Sequence, residues 1–305
     1  MKKSDIHTIR RTNSAIRLTK LRGNKIDGLN HLDHFLIYPP AVEAGVLQRF
    51  FLEFFWFGLK EARACLFAGL IFLAIFTVPR SGILGVARYD VLLIFALAIQ
   101  SLMIITKLES WAEVRAITLF HFLGFGLEVF KTSATIGSWQ YPDAGWSKIF
   151  GVPLFSGFMY AAVGSYIIQC WRLQDMKIYY HPPLILTVIL SGALYANFFT
   201  HHFIGDYRWY LAAIALGLYI RTTLEFTPYD RPRRMPILLA FTLVGFFIWL
   251  AENIGTFFGI WQYPNQIGAW ATVHVGKWGA WSLLVMLTFT ITLFLKTNKN
   301  RIHIV

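Results

Sequence analysis

Eight runs of predominantly apolar residues divide this chain, and their lengths constrain the fold more than any other feature. Their approximate limits are Ala62 to Val78, Val91 to Ile105, Val114 to Ile136, Val152 to Trp171, Pro183 to Phe199, Tyr207 to Ile220, Pro236 to Ile260 and Gly276 to Leu295. A helix needs about 20 such residues to cross hydrocarbon with its own backbone groups satisfied, so these runs read as transmembrane segments. The second and sixth are short, which leaves seven spans as the alternative to eight. Composition agrees, because 56% apolar and 14% charged residues, with a mean hydropathy of +0.52, belong to lipid rather than water. The expected fold class is all-α, a polytopic membrane helix bundle.

Basic residues orient the bundle, since Lys and Arg concentrate in short cytoplasmic loops. With eight spans and a cytoplasmic N-terminus, every one of the 28 falls inside except Arg80, Arg88, Lys131, Lys148, Arg208 and Lys277. Both termini are therefore expected in the cytoplasm, as a multi-pass protein of the bacterial inner (cytoplasmic) membrane. The net charge of +12 points to membrane lipids as partners and not to nucleic acid, because the basic residues cluster beside the first span. The start of the chain lacks the apolar core of a cleavable signal, so the first span is expected to direct insertion. Cys65 and Cys170 both fall near cytoplasmic helix ends, where a disulfide is not expected. Nucleotide-binding loops, metal-binding cysteine pairs and hydrolase elbows are absent from the sequence.

A tetrapeptide, Trp-Gln-Tyr-Pro, occurs at 139–142 and again at 261–264, each time following an apolar run that carries a glutamate, Glu128 or Glu252. The offset of the two copies matches the spacing of the first and fifth spans. This divides the chain into a basic tail (1–45), a first four-helix repeat (46–180) and a second (181–305) with a short tail. An even number of spans per half makes the repeats parallel. The glutamates differ in register, lying 11 and 9 residues before their tryptophans. Counted along a continuous helix, that difference points the two carboxylates in different directions unless a bulge intervenes.

Ionisable groups inside spans usually mark a site or a pathway, which makes Glu128 and Glu252 the candidate catalytic acids. Trp139, Tyr141, Trp261 and Tyr263 are candidate ligand contacts, although aromatic residues also favour the interface for its own sake. The segment after the fifth span supplies His201, His202, Asp206 and Arg208, and Asn253 and His274 complete the candidate binding set. His202 and Asp206 are four apart, a metal-compatible spacing if helix continues, but Gly205 interrupts it. No metal is assigned and the cofactor is left open. The segment 225–236, rich in Arg and Pro, reads as a rigid basic loop, and Val46–Trp56 as an interfacial helix.

The phrases HFLGFGLEVFKTSATIGSWQYPDAGW, NFFTHHFIGDYRW and FTPYDRPRRMP, with the second WQYP, resemble the YoaT-like family of bacterial integral membrane proteins, domain of unknown function 817, from about Val46 to Leu295. That resemblance implies a class and brings no activity with it. A fainter similarity, in helix glutamate, spaced glycines and Tyr-Pro loop, links the chain to membrane carotenoid hydratases and lycopene-cyclase-like proteins, which protonate a polyene. Their pattern lacks the second WQYP and the unequal glutamate spacing. The expected function is acid-catalysed chemistry on a lipid or isoprenoid at the outer leaflet. The alternatives are a carrier or channel for a small solute, and a membrane scaffold or assembly factor.

Overall fold

The computed structural model describes residues 30–297 apart from 41 and 44. The expected basic tail up to residue 29, together with Lys299 and Arg301, lies outside the described residues. The fold is mostly helical. In chain order the helices are α1 (His31–Ile37), α2 (Val46–Ala64), α3 (Leu66–Thr77), α4 (Arg88–Ile105), α5 (Trp111–Thr132), α6 (Phe155–Leu173), α7 (Leu184–Thr200), α8 (Arg208–Tyr219), α9 (Ile237–Phe257) and α10 (Gly276–Thr297).

Each apolar run coincides with one of the helices α3 to α10. Three helices are long and apolar enough to cross a membrane: α4, α9 and residues Gly276–Phe294 of α10. α3 and α7 are apolar but shorter. α8 has only 12 residues, and α5 carries Glu113, Arg115, Glu128 and Lys131 within its 22. On α9 an apolar stripe, Leu239, Leu243, Phe247, Leu250, Ile254 and Phe257, points outward. The spacing of three and four residues keeps that stripe on one side, opposite the buried Ile237, Phe241, Gly245, Glu252 and Thr256. An exposed apolar face of this length suits lipid and is costly in water.

The expected interfacial helix at Val46–Trp56 is longer than its apolar pattern suggested. It runs on to Ala64 and is separated from α3 only by Cys65. The all-α expectation also missed short strands. β1 (Lys148–Ile149) and β2 (Val152–Pro153) form a small hairpin, while β3 (Lys177–Tyr179), β4 (Thr223–Phe226) and β5 (Arg233–Pro236) form an antiparallel sheet in the order β3-β4-β5. The basic loop expected at 225–236 is thus a hairpin, with Leu224 opposite both Ile178 and Met235. Glu225 holds it by accepting from Arg234 (2.9 Å) and Lys177 (3.2 Å), while Arg234 stacks over Tyr179. Burial opposes the Glu225 charge, but these hydrogen bonds and the two cations hold its carboxyl below the usual carboxylate range.

α6 is the hub, packing against α2, α3, α4, α5 and α10. Glycines make that packing close. A side chain at Gly157 would lie 2.6 Å from the His121 ring, one at Gly164 would enter Phe120, and one at Gly124 on α5 would enter Tyr160. Each missing side chain admits a ring from the facing helix, the way small residues draw membrane helices together. At the other end, buried Asp33 joins Arg63 (2.9 Å) and Arg172 (2.8 Å), and Arg172 also reaches Glu113 (2.9 Å), locking α1, α2, α5 and α6.

Candidate functional site

The two WQYP loops meet. Gln140 and Gln262 exchange backbone hydrogen bonds, N–H to O=C, at 2.9 Å in both directions. Each loop enters through a glycine in the left-handed region, Gly137 (φ 55°) and Gly259 (φ 68°), a conformation most side chains resist. Two further bonds brace the second loop from below, where the Tyr89 hydroxyl donates to Ile260 O and Arg88 to Phe258 O, both at 2.8 Å.

Residues on either side of each bridged glutamine point to the same side, opposite to the glutamine, as in any extended segment. The Tyr141 hydroxyl donates to Glu128 Oε2 at 2.9 Å, and the Tyr263 hydroxyl donates to Glu252 Oε1. Trp139 Nε1 adds a bond to Glu128 Oε2 at 2.7 Å, and the Tyr160 hydroxyl of α6 takes Oε1 at 2.8 Å. Glu252 Oε2 accepts from Trp281 Nε1 of α10 at 2.8 Å. Both carboxylates are buried, with 4% of their surface exposed, and every neighbour bonded to them donates.

The two-residue difference in register does not separate the glutamates. α5 stops at Thr132, and the extra residues form a turn in which Ile136 and Gly137 donate to Ser133 O, after which Ser138 donates back to Lys131 O. A turn after the helix, not a bulge within it, absorbs the insertion. The tryptophans, however, are not equivalent. Trp139 binds its glutamate, whereas Trp261 packs its ring into the space left by Gly255, and Trp281 takes the position beside Glu252.

Lys277 completes the group. Its ammonium lies 5.2 Å from the Trp139 ring centroid and 4.6 Å from that of Tyr263, one ring from each loop. Those rings pack edge to face at 6.0 Å, and Tyr160 and Trp281 are in contact at 6.1 Å. Two pairs of touching rings therefore connect the two carboxylates. Among the described residues no oxygen accepts from the Lys277 ammonium, which leaves its hydrogens to a cavity of about 810 Å³.

Glu128, Trp139, Tyr141, His201, Arg208, Glu252, Trp261, Tyr263 and Lys277 line that cavity. His202, Asp206, Asn253 and His274 do not. Asn253 donates to Trp249 O and accepts from Val273 N, which fixes the chain leading into α10. His274 accepts from Gly276 N at 3.0 Å at the start of the same helix. Gly205 (φ 105°) turns the chain after α7, and Asp206 goes to Arg208 (3.1 Å) and Asn197 rather than toward the histidines. Burial opposes the Asp206 charge, but bonds from Arg208 N–H and Asn197 hold its carboxyl below the ordinary range.

His201 and His202 meet Lys131 instead, at 3.3 and 2.7 Å. Burial and the Lys131 charge push the His202 imidazole below its ordinary pKa. Nε2 of each ring thus faces Lys131, and no group of three His, Cys, Asp or Glu that could hold a metal occurs among the described residues.

Tyr160, Trp281 and the place of Lys277 were missed in the sequence reading. Lys277 and Trp281 are four apart on α10, a spacing that puts them on one face and that could have been noticed. Tyr160 gives no local signal. The far end of the cavity was also missed. There Glu61 accepts from Tyr166 (2.8 Å), Gln174 (2.9 Å) and the Cys170 thiol (3.3 Å), and Cys65 lies alongside on the wall.

The Bacillus subtilis (strain 168) uncharacterized protein YoaT is 45% identical over 245 residues, which cover 80% of this chain and 92% of that protein. No solved structure matches. The family model described as protein of unknown function (DUF817) matches residues 53–289, a stretch that holds both WQYP loops, both glutamates and Lys277, and the chain belongs to that family.

Proposed function

We propose that the chain is a multi-pass protein of the bacterial cytoplasmic membrane, in two parallel four-helix halves with both termini inside, whose cavity receives a lipid-like or isoprenoid ligand. The outward apolar stripe on α9 and the segregation of basic residues support the membrane reading. The observation that carries the ligand reading is the Lys277 ammonium over Trp139 and Tyr263, on the wall of a cavity that is also lined by Leu127, Met159, Val163, Val244, Ile248 and Leu284. An elongated apolar ligand fits the apolar wall, and its polar or electron-rich end meets the aromatic group.

For acid-catalysed chemistry, the roles follow from who holds hydrogens. Glu128 and Glu252 already accept from every neighbour bonded to them, and Lys131 on the same wall is engaged by His201 and His202, so the proton donor we assign is Lys277, over the rings of Trp139 and Tyr263. Two carboxylates and the faces of Trp139 and Tyr263 then stabilise positive charge developing on the ligand. Membranes from cells expressing the protein, compared by lipid mass spectrometry with those carrying Lys277→Met or Glu252→Gln, test this. A lipid species altered by the wild type and unaltered by either variant is expected; identical profiles from all three, at equal protein levels, refute the enzyme.

A carrier is the second reading, favoured by polar groups at both ends of the cavity, Glu61 and Gln174 at one and Lys277 at the other. Solute uptake into proteoliposomes that falls with Glu61→Gln would favour it.

A further inference from the structure

The second WQYP loop has two faces. Trp261 and Tyr263 line the central cavity, while Gln262 between them lines a separate pocket of about 560 Å³. Among the described residues the charged groups on the wall of this second pocket are Arg80 and Arg88, and no carboxylate lines it.

The arginines are placed differently. Arg88, with 3% of its surface exposed, is held by Phe258 O (2.8 Å) and Ile75 O (3.2 Å), with Asp143 at 3.6 Å. Arg80 is exposed, and no carboxylate or carbonyl accepts from its guanidinium among the described residues. The guanidinium rests against the backbone of Gly259, at the entry to the second WQYP loop.

The remaining polar atoms of the wall are largely satisfied among themselves. Gln262 Nε2 donates to Gln266 O, Gln266 Nε2 to Ala271 O, and Trp270 Nε1 to Thr256 Oγ1. What the pocket offers a ligand is therefore a guanidinium fork with a second arginine behind it. The aromatic residues Phe76, Phe257 and Trp270, all exposed, stand around it. A planar fork with unused donors matches phosphate oxygens, and rings at the rim match the first carbons of an acyl or glyceryl chain.

The geometry points to a phosphate-binding pocket between Arg80 and Arg88, distinct from the central cavity, taking the phosphodiester of an anionic lipid headgroup or free phosphate. It is independent of the central ligand, because its charged groups belong to the α3–α4 segment and its lining shares no residue with that of the central cavity.

Full-length protein in maltoside detergent, titrated with dioctanoyl phosphatidylglycerol, dioctanoylglycerol or inorganic phosphate and followed by thermal unfolding, tests the assignment. Phosphatidylglycerol is expected to stabilise the wild type, dioctanoylglycerol is not, and Arg80→Gln is expected to weaken the effect about tenfold or more, the scale of lost charge-assisted bonds. Arg80→Lys, which keeps the charge and loses the fork, should fall between. Stabilisation by inorganic phosphate with the same Arg80 dependence assigns the site to the free anion; stabilisation by phosphatidylglycerol alone assigns it to lipid. Equal binding by Arg80→Gln, equal potency of dioctanoylglycerol, or loss of binding in Lys277→Met overturns the pocket. Arg80 is exposed and unpaired, so its substitution leaves folding intact.

Discussion

Glu128 offers the sharpest test of how the site is held, because two substitutions of similar size have opposite consequences for its three donors. In Glu128→Leu, Trp139 Nε1, the Tyr141 hydroxyl and the Tyr160 hydroxyl all lose their acceptor. An orphaned buried donor costs about 1–3 kcal/mol, giving roughly 3–9 kcal/mol for three. All three residues reach the cavity wall, where water can enter, so the lower end, about 3 kcal/mol, is expected. In Glu128→Gln the amide oxygen keeps the Trp139 and Tyr141 bonds, and the amide nitrogen faces Tyr160, whose hydroxyl can turn and accept. What disappears is charge assistance, worth roughly 1–2 kcal/mol in total. Thermal unfolding of the purified proteins in detergent, followed by near-ultraviolet circular dichroism, separates them. At about 2–4 °C per kcal/mol, Glu128→Gln should melt a few degrees low and Glu128→Leu several degrees lower still. A leucine variant as stable as the glutamine variant, or more so, would refute the view that Glu128 organises the aromatic group.

Three further tests follow. Gly124→Ala places a methyl group inside the Tyr160 ring and should cost about 1–3 kcal/mol in a melting experiment, whereas Gly126→Ala, which meets open space on the same helix, should be neutral or stabilising. Equal behaviour of the two would mean that the α5–α6 contact is not glycine-dependent. Glu225, with its carboxyl depressed by Arg234 and Lys177, stabilises the sheet above its ordinary value of 4.5 and loses that contribution as pH falls through the depressed value; Glu225→Gln should therefore flatten the fall in stability below pH 4.5. His202 runs in the same direction at higher pH. With its imidazole pushed down by burial and Lys131, it should keep its contact with Lys131 at its ordinary value of 6.5 and lose it as pH falls through the depressed value, and a nuclear magnetic resonance titration of the ring giving a normal or raised pKa would contradict the arrangement.

The apolar runs marked the helices well because burial in lipid or core demands uninterrupted apolar residues, and each end falls where Gly, Pro or charge appears. The duplicated WQYP marked both loops of the site, though their backbone pairing through Gln140 and Gln262 is visible only in the structure. Less was legible where partners come from another element. Tyr160 reaches Glu128 only because Gly124 makes room, and the cause and the effect sit on different helices. The register difference between Glu128 and Glu252 misled for a related reason: residue counting assumes a continuous helix, while the chain places its insertion in the turn at Ser133. The β3-β4-β5 sheet escaped notice because its strands are three or four residues long and lie among prolines and arginines.

Charge placement in the central group bears on which ligand suits it. A buried carboxylate needs compensation, and pairing it with a cation is the common route. Here neither glutamate takes that route, and indole and phenol hydrogens do the work for both. Lys277 is thereby left over the aromatic faces without an oxygen acceptor among the described residues, and Lys131 is held apart by His201 and His202. Lys131 and Arg208 stand on the same cavity wall, so the two carboxylates face more than one cation and the fixed charges nearly balance around a neutral ligand. A neutral ligand that becomes cationic at its end, when the Lys277 proton is delivered, matches that balance better than a headgroup already anionic. The phosphate chemistry proposed for Arg80 and Arg88 lies on the other face of the same loop, so Gln262 and its neighbours stand between the two pockets.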